Sequence, residues 1–86
     1  MGKELKISYD KEADVLYVSL GHPEYTIYTE IGPDLILRLD PETHEVVGFT
    51  IIDFAQHFAY NAPSSLQIPL TATFSPLRPV EELKTA

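Results

Sequence analysis

The stretch Leu5-Lys6-Ile7-Ser8-Tyr9-Asp10-Lys11-Glu12-Ala13-Asp14-Val15-Leu16-Tyr17-Val18-Ser19-Leu20 decides the fold. Leu5, Ile7 and Tyr9 alternate with Lys6, Ser8 and Asp10, the period of a strand with one dry and one wet face. Asp10 to Asp14 is polar and turn-prone. Val15 to Leu20 then resumes in β-favouring residues, with Leu16, Val18 and Leu20 facing one way. Two alternating runs joined by a short acidic turn predict an antiparallel hairpin, with Asp10 and Asp14 bonding nearby backbone amides to hold its register.

The pattern continues outward from that hairpin. Gly21-His22-Pro23 interrupts it, and Tyr25, Ile27, Thr29 and Ile31 alternate with Thr26, Tyr28 and Glu30 to predict a third strand. After Gly32-Pro33-Asp34, the residues Leu35, Leu37 and Leu39 turn inward while Arg38 and Asp40 turn outward. Asp40-Pro41-Glu42-Thr43-His44 is a turn with proline at its first corner. Glu45 to Ile52 makes a fifth strand, with Val47, Phe49 and Ile51 on one face and Val46, Gly48, Thr50 and Ile52 on the other. Both faces are partly apolar, so something must cover the second.

A short helix from Asp53 is the expected cover. Asp53 stands where a cap belongs, Gln56 sits three residues on, and Phe54 and Phe58 lie one turn apart. Asn61 suits a helix end and Pro63 stops continuation. Beyond Ser64-Ser65, Leu66, Ile68, Leu70, Ala72 and Phe74 share one side of an extended segment which, if a strand, Pro69 confines to a sheet edge or to a reach onto another subunit. Pro76 and Pro79 then precede a fragment of helix over Val80 to Lys84. The expectation is an α+β, mainly β fold. It has an antiparallel meander of about five strands with one short helix after the last, over residues 5–62. An extended tail over residues 63–86 packs on that domain or on a second subunit.

Tyr9-Asp10, Glu12-Ala13-Asp14, Leu16-Tyr17-Val18 and Leu20, followed by Asp40, Val46-Val47-Gly48-Phe49 and Ile51, resemble the domain of unknown function 2283 family over roughly residues 5 to 60. The resemblance implies a small prokaryotic β-rich domain with a short helix after the last strand and no established activity. Members encoded beside a small toxin imply an antitoxin role. Two departures stand out. His44 occupies a turn position that commonly holds glycine, which histidine can fill at positive φ. The tail from Pro63 is longer than the usual ending.

Composition narrows the function classes. A chain of 86 residues with 44% hydrophobic residues holds one packed core and no second domain. Cysteine is absent, which removes disulfides, thiolate metal sites and cysteine nucleophiles. The opening Met1-Gly2-Lys3-Glu4 has no signal-peptide run and no later stretch is long enough to cross a bilayer, so the cytoplasm is the expected location. Thirteen acidic against six basic residues give a net charge of −7, which opposes nucleic acid and anionic membranes and permits a basic protein partner.

No constellation assigns a chemistry, so no catalytic, cofactor or metal residue is named. Asp10, Glu12 and Asp14 start like a calcium loop, but Val15 and Gly21 stand where glycine and glutamate belong. His22, His44 and His57 show no metal-ligand spacing. His57 lies within a helical turn of Asp53, close enough to share a proton, although such pairs are more often structural. Ser64 and Ser65 have neither a nucleophile elbow nor a glycine-rich loop around them. Tyr9, Tyr17, Tyr25 and Tyr28 read as sheet residues, and Glu24 and Glu30 oppose RNA stacking at the last two.

A protein-interaction domain, in the form of the antitoxin partner of a small toxin, is therefore the leading reading, with Leu66, Ile68, Leu70 and Phe74 as the interaction surface. The alternative is a small enzyme or ligand-binding protein with a site near the acidic turn or His57, marked by a deep pocket with convergent polar groups. Behind both stands a homodimer with no further readable activity. A homodimer is expected in any case, because the fifth strand and the tail expose more apolar surface than one short helix hides.

Overall fold

The computed structural model describes residues 4–59 and 65–84. Five strands form one antiparallel sheet: β1 (Leu5–Asp10), β2 (Val15–Leu20), β3 (Ile27–Glu30), β4 (Leu35–Leu39) and β5 (Val46–Ile52). Two short helices follow, α1 (Phe54–Ala59) and α2 (Val80–Leu83). The predicted mainly β architecture, with a helix after the last strand, is the observed one. Strand order across the sheet is β1-β2-β5-β4-β3. The hairpin β1-β2 thus joins the meander β3-β4-β5 through β5, which becomes the centre, and the Gly21–Thr26 connection carries β3 to the far edge.

Cross-strand partners share a face, so the register sorts the side chains into rows. Tyr9, Leu16, Ile51 and Leu35 form one row, Ile7, Val18, Phe49, Leu37 and Thr29 the next. Leu5 and Leu20 form a third row beside which Leu39 pairs with Ile27 and Val46. An irregularity at Arg38/Leu39 brings Val46 opposite Leu39, and so departs from strict alternation in β5. Lys6, Ser8, Tyr17, Ser19, Gly48, Thr50, Ile36, Arg38 and Tyr28 belong to the other face.

Burial is concentrated in the middle of the apolar face, at Ile51 (3% exposed) and Leu37. Withdrawing one such side chain from water is worth roughly 1.5–3 kcal/mol. On the opposite face Gly48 and Thr50 are also buried. Both are small, and in the register they lie between longer neighbours, Gly48 beside Arg38 and Thr50 between Tyr17 and Ile36. The second face of β5 is therefore shaded by flanking side chains rather than by a separate layer.

Turn chemistry holds the ends. Asp40 Oδ1 accepts from the amides of Glu42 (2.8 Å) and Thr43 (3.0 Å), and His44 takes a φ of 62°. The histidine in the glycine-like position thus adopts the left-handed conformation expected of it. Arg38 donates through Nε to Thr26 Oγ1 (3.3 Å) and through Nη2 to the Pro23 carbonyl (3.4 Å), pinning the long connection to the sheet. Its guanidinium lies 5.7 Å from the centre of the Tyr28 ring.

Three local expectations are corrected. The third strand is shorter than its alternation, and Tyr25, 82% exposed, lies outside it. Residues 65–79 form no strand: the Leu70 amide donates to the Ile68 carbonyl at 2.7 Å, a tight turn around Pro69 that breaks extended pairing. The cap of α1 does not come from Asp53, which has a φ of 57°. Asn61 and Pro63, expected to end α1, lie outside the described residues. Among the described residues, no helix is long and apolar enough to cross a membrane.

Candidate functional site

The acidic turn and the start of α1 meet at Asp14. With φ at 57°, Asp14 turns its carbonyl and carboxylate toward the helix. The Phe54 amide donates to the Asp14 carbonyl (3.1 Å) and the Ala55 amide to Oδ1 (2.8 Å), satisfying first-turn donors that have no partner within a helix. Tyr9 donates its hydroxyl to the same Oδ1 at 2.7 Å. The cap is therefore supplied from 41 residues away in sequence. Of the two aspartates expected to bond local amides, Asp10 does so, accepting from Ala13 at 3.2 Å. Asp14 instead ties the hairpin to the helix.

These contacts shift both groups in the directions their chemistry requires. The Tyr9 hydroxyl, followed by the Ala55 amide, holds the Asp14 carboxyl below its ordinary range. The same hydrogen bond, together with desolvation and the nearby Asp14 and Asp10 charges, raises the Tyr9 phenol above its own. An edge-to-face stack continues the clasp, with Tyr9 and Phe54 at 5.9 Å between ring centres and Phe54 and Phe58 at 5.2 Å. Helix α1 is thereby held over the row containing Tyr9, Leu16, Ile51 and Leu35.

His57 also departs from its expected partner. Its backbone amide bonds the Asp53 carbonyl at 3.3 Å, but its ring Nε2 lies 2.7 Å from Asp34 Oδ2 in the turn before β4. The Nε2 atom is buried and the carboxylate lies off its hydrogen-bonding axis, so the contact is an ion pair when the ring is protonated. Asp34 was not legible as a partner, because only the pairing of Leu35 with Ile51 carries the start of β4 to the strand that leads into α1.

Beside this pair lies an open cleft of about 240 Å³, including space continuous with solvent, lined by Asp34, Leu35, Ile51, His57, Leu66, Gln67 and Ile68. Ligand sites ordinarily enclose about 300–1,000 Å³ with several convergent polar groups. This cleft is small, mostly apolar, and none of its lining side chains carries a hydroxyl or thiol. The acidic turn is exposed at Asp10, Lys11, Glu12 and Ala13. His22 and His44 are exposed, and among the described residues no three metal-ligating side chains gather.

The remaining apolar face is the larger feature. Leu66 and Ile68 turn into the cleft of their own domain and Leu70 is half-buried, whereas Phe74 is 76% exposed. The four tail residues expected to act as one surface are thus divided. Across the sheet, the rows beyond α1 stay open, with Ile7 62%, Leu5 43% and Ile27 42% exposed. Further along the tail, Leu77, Val80 and Leu83 are exposed as well.

A single antiparallel sheet with one short helix clasped across one end of its apolar face defines a small β-rich domain in which, among the described residues, Leu5, Ile7, Leu20 and Ile27 of that face stay exposed. The chain belongs to the family described as protein of unknown function (DUF2283), whose model matches residues 6–54, from the first strand to the start of α1. Comparison with curated proteins found no match, and neither did comparison with solved structures.

Proposed function

We propose that the chain is a protein-interaction domain that pairs with a second copy of itself over its apolar sheet face. The open rows around Ile7, Leu5, Leu20 and Ile27 carry this reading. Proteins working as monomers rarely leave a contiguous apolar patch of more than a few hundred Å² in water. A two-fold arrangement with a second copy covers the patch on each chain at once. Light scattering at low micromolar concentration is expected to give twice the 9.7 kDa of one chain. Ile7→Lys, a change at a side chain already exposed in the single chain, is expected to give monomers with unchanged circular dichroism. A wild-type mass of one chain would overturn the reading.

The resemblance to relatives encoded beside a small toxin also motivates an antitoxin role toward a small toxin, and a net charge of −7 suits long-range attraction to a partner that is basic. Co-expression with the product of the adjacent gene tests it. The two proteins are expected to co-purify, and a neighbour that is harmless alone and never co-purifies removes the antitoxin assignment.

A further inference from the structure

We infer that residues 71–84 form an exchanged arm, which leaves its own domain and seats on the open sheet face of the second copy. This rests on the homodimer proposed above and names the element that closes it. The arm carries Phe74, Leu77, Val80 and Leu83, exposed by 76%, 55%, 50% and 36%. Every residue from 71 to 84 is exposed, and α2 buries none of its own. Each chain therefore exposes two apolar surfaces, the part of the sheet face around Leu5, Ile7, Leu20 and Ile27 and the apolar side chains of the arm.

The path of the chain favours a seat on the other copy. Leu66 and Ile68 are anchored beside Leu35 and Ile51 in the cleft. The turn around Pro69 then redirects the backbone, and Pro76 and Pro79 keep the arm from continuing as a regular strand before α2. The radius of gyration is 14.8 Å, against about 12 Å for a compact chain of this length. The chain is less compact than a packed domain of its length.

Reach and area also fit. Fourteen residues extend to at most about 45 Å, and five strands span roughly 20 Å. Four apolar side chains burying on the order of 100 Å² each, matched by the face beneath and doubled by symmetry, give about 1,600 Å². That is the size of a standard stable interface. Val80 and Leu83, three residues apart on α2, share one side of that helix and can insert together.

Three proteins measured by light scattering over a dilution series test the inference: wild type, a chain ending at Leu70, and a full-length Phe74→Glu, Leu77→Glu variant. The wild type is expected to be dimeric, and both altered chains to dissociate at concentrations at least tenfold higher. Dimers of unchanged affinity in both altered chains overturn the arm and leave the sheet-face dimer standing. A monomeric wild type overturns both. The absence of native cysteine allows a second measurement that does not depend on truncation. Copies carrying Ile7→Cys are mixed with copies carrying Phe74→Cys and treated with a short bismaleimide. A cross-linked pair of double mass is expected. No pair joining one chain of each kind, together with cross-linking inside a third variant that carries both Ile7→Cys and Phe74→Cys, would place the arm on its own face and overturn the exchange.

Discussion

Gly48 shows how one residue's size sets the spacing of the central strands. A β-carbon there would lie 2.7 Å from the Val18 carbonyl oxygen and 3.3 Å from the Ser19 Cα, both backbone atoms that cannot swing aside. Gly48→Ala is therefore expected to cost about 1–3 kcal/mol, the usual scale of overpacking, read as a lower urea midpoint with an unchanged slope. Equal stability of the variant would mean that β2 and β5 can separate at that point. Nothing in the alternation around Gly48 marks this need, because the close neighbour lies on a strand some thirty residues earlier. His44 is the opposite case. The family resemblance implied a glycine-like position at His44, and the backbone is left-handed there at a residue type that tolerates it.

At the scale of elements, α1 is too short to persist alone and is held by the hairpin before it. The Tyr9–Asp14 hydrogen bond needs a protonated phenol and an ionised carboxylate, which fixes the sign of its pH dependence. Asp14 has a folded value lowered from the ordinary one, so its contribution is present above the unfolded carboxyl range and is lost as pH falls through the folded value. Tyr9 has a raised folded value, so its contribution is present below the unfolded phenol range and is lost as pH rises through the folded value. The pair should therefore support α1 between about pH 4 and pH 10 and weaken outside that window. Tyr9→Phe is expected to keep the fold at neutral pH, to let the amides of α1 exchange faster, and to flatten the alkaline loss of stability. An alkaline limb identical to that of the wild type would show that the bond contributes nothing. That a helix belonged after β5 was readable from Phe54 and Phe58. Its cap was not, since the nearer Asp53 satisfies the same motif and only the sheet brings Asp14 to the helix.

For the whole molecule, pairing of two copies makes stability depend on concentration. If folding and pairing are coupled, a tenfold rise in protein concentration stabilises the folded dimer by about 1.4 kcal/mol and raises its melting temperature by roughly 4 °C. A melting temperature unchanged over that range would count against pairing, while the Ile7→Lys variant is expected to show no such dependence. The alternating rows on β1 and β2 announced an apolar face, and the tail announced further apolar residues. Where the tail divides, at the turn around Pro69, was not announced.

The sequence by itself determined that five alternating runs make strands, where the turns between them fall and that a helix follows β5, because each follows from contacts among residues near one another in the chain. Period-2 alternation sets which side chains share a face, and turn residues set where strands stop. The tertiary structure alone decided that β5 is central and β3 an edge, that Asp14 caps α1, that His57 meets Asp34, and that the tail splits into an anchored part and an arm. Those outcomes rest on long-range register and on which surfaces remain open once the sheet has closed. Local pattern carries no information about such pairings, since a strand's alternation is the same whichever strand lies beside it.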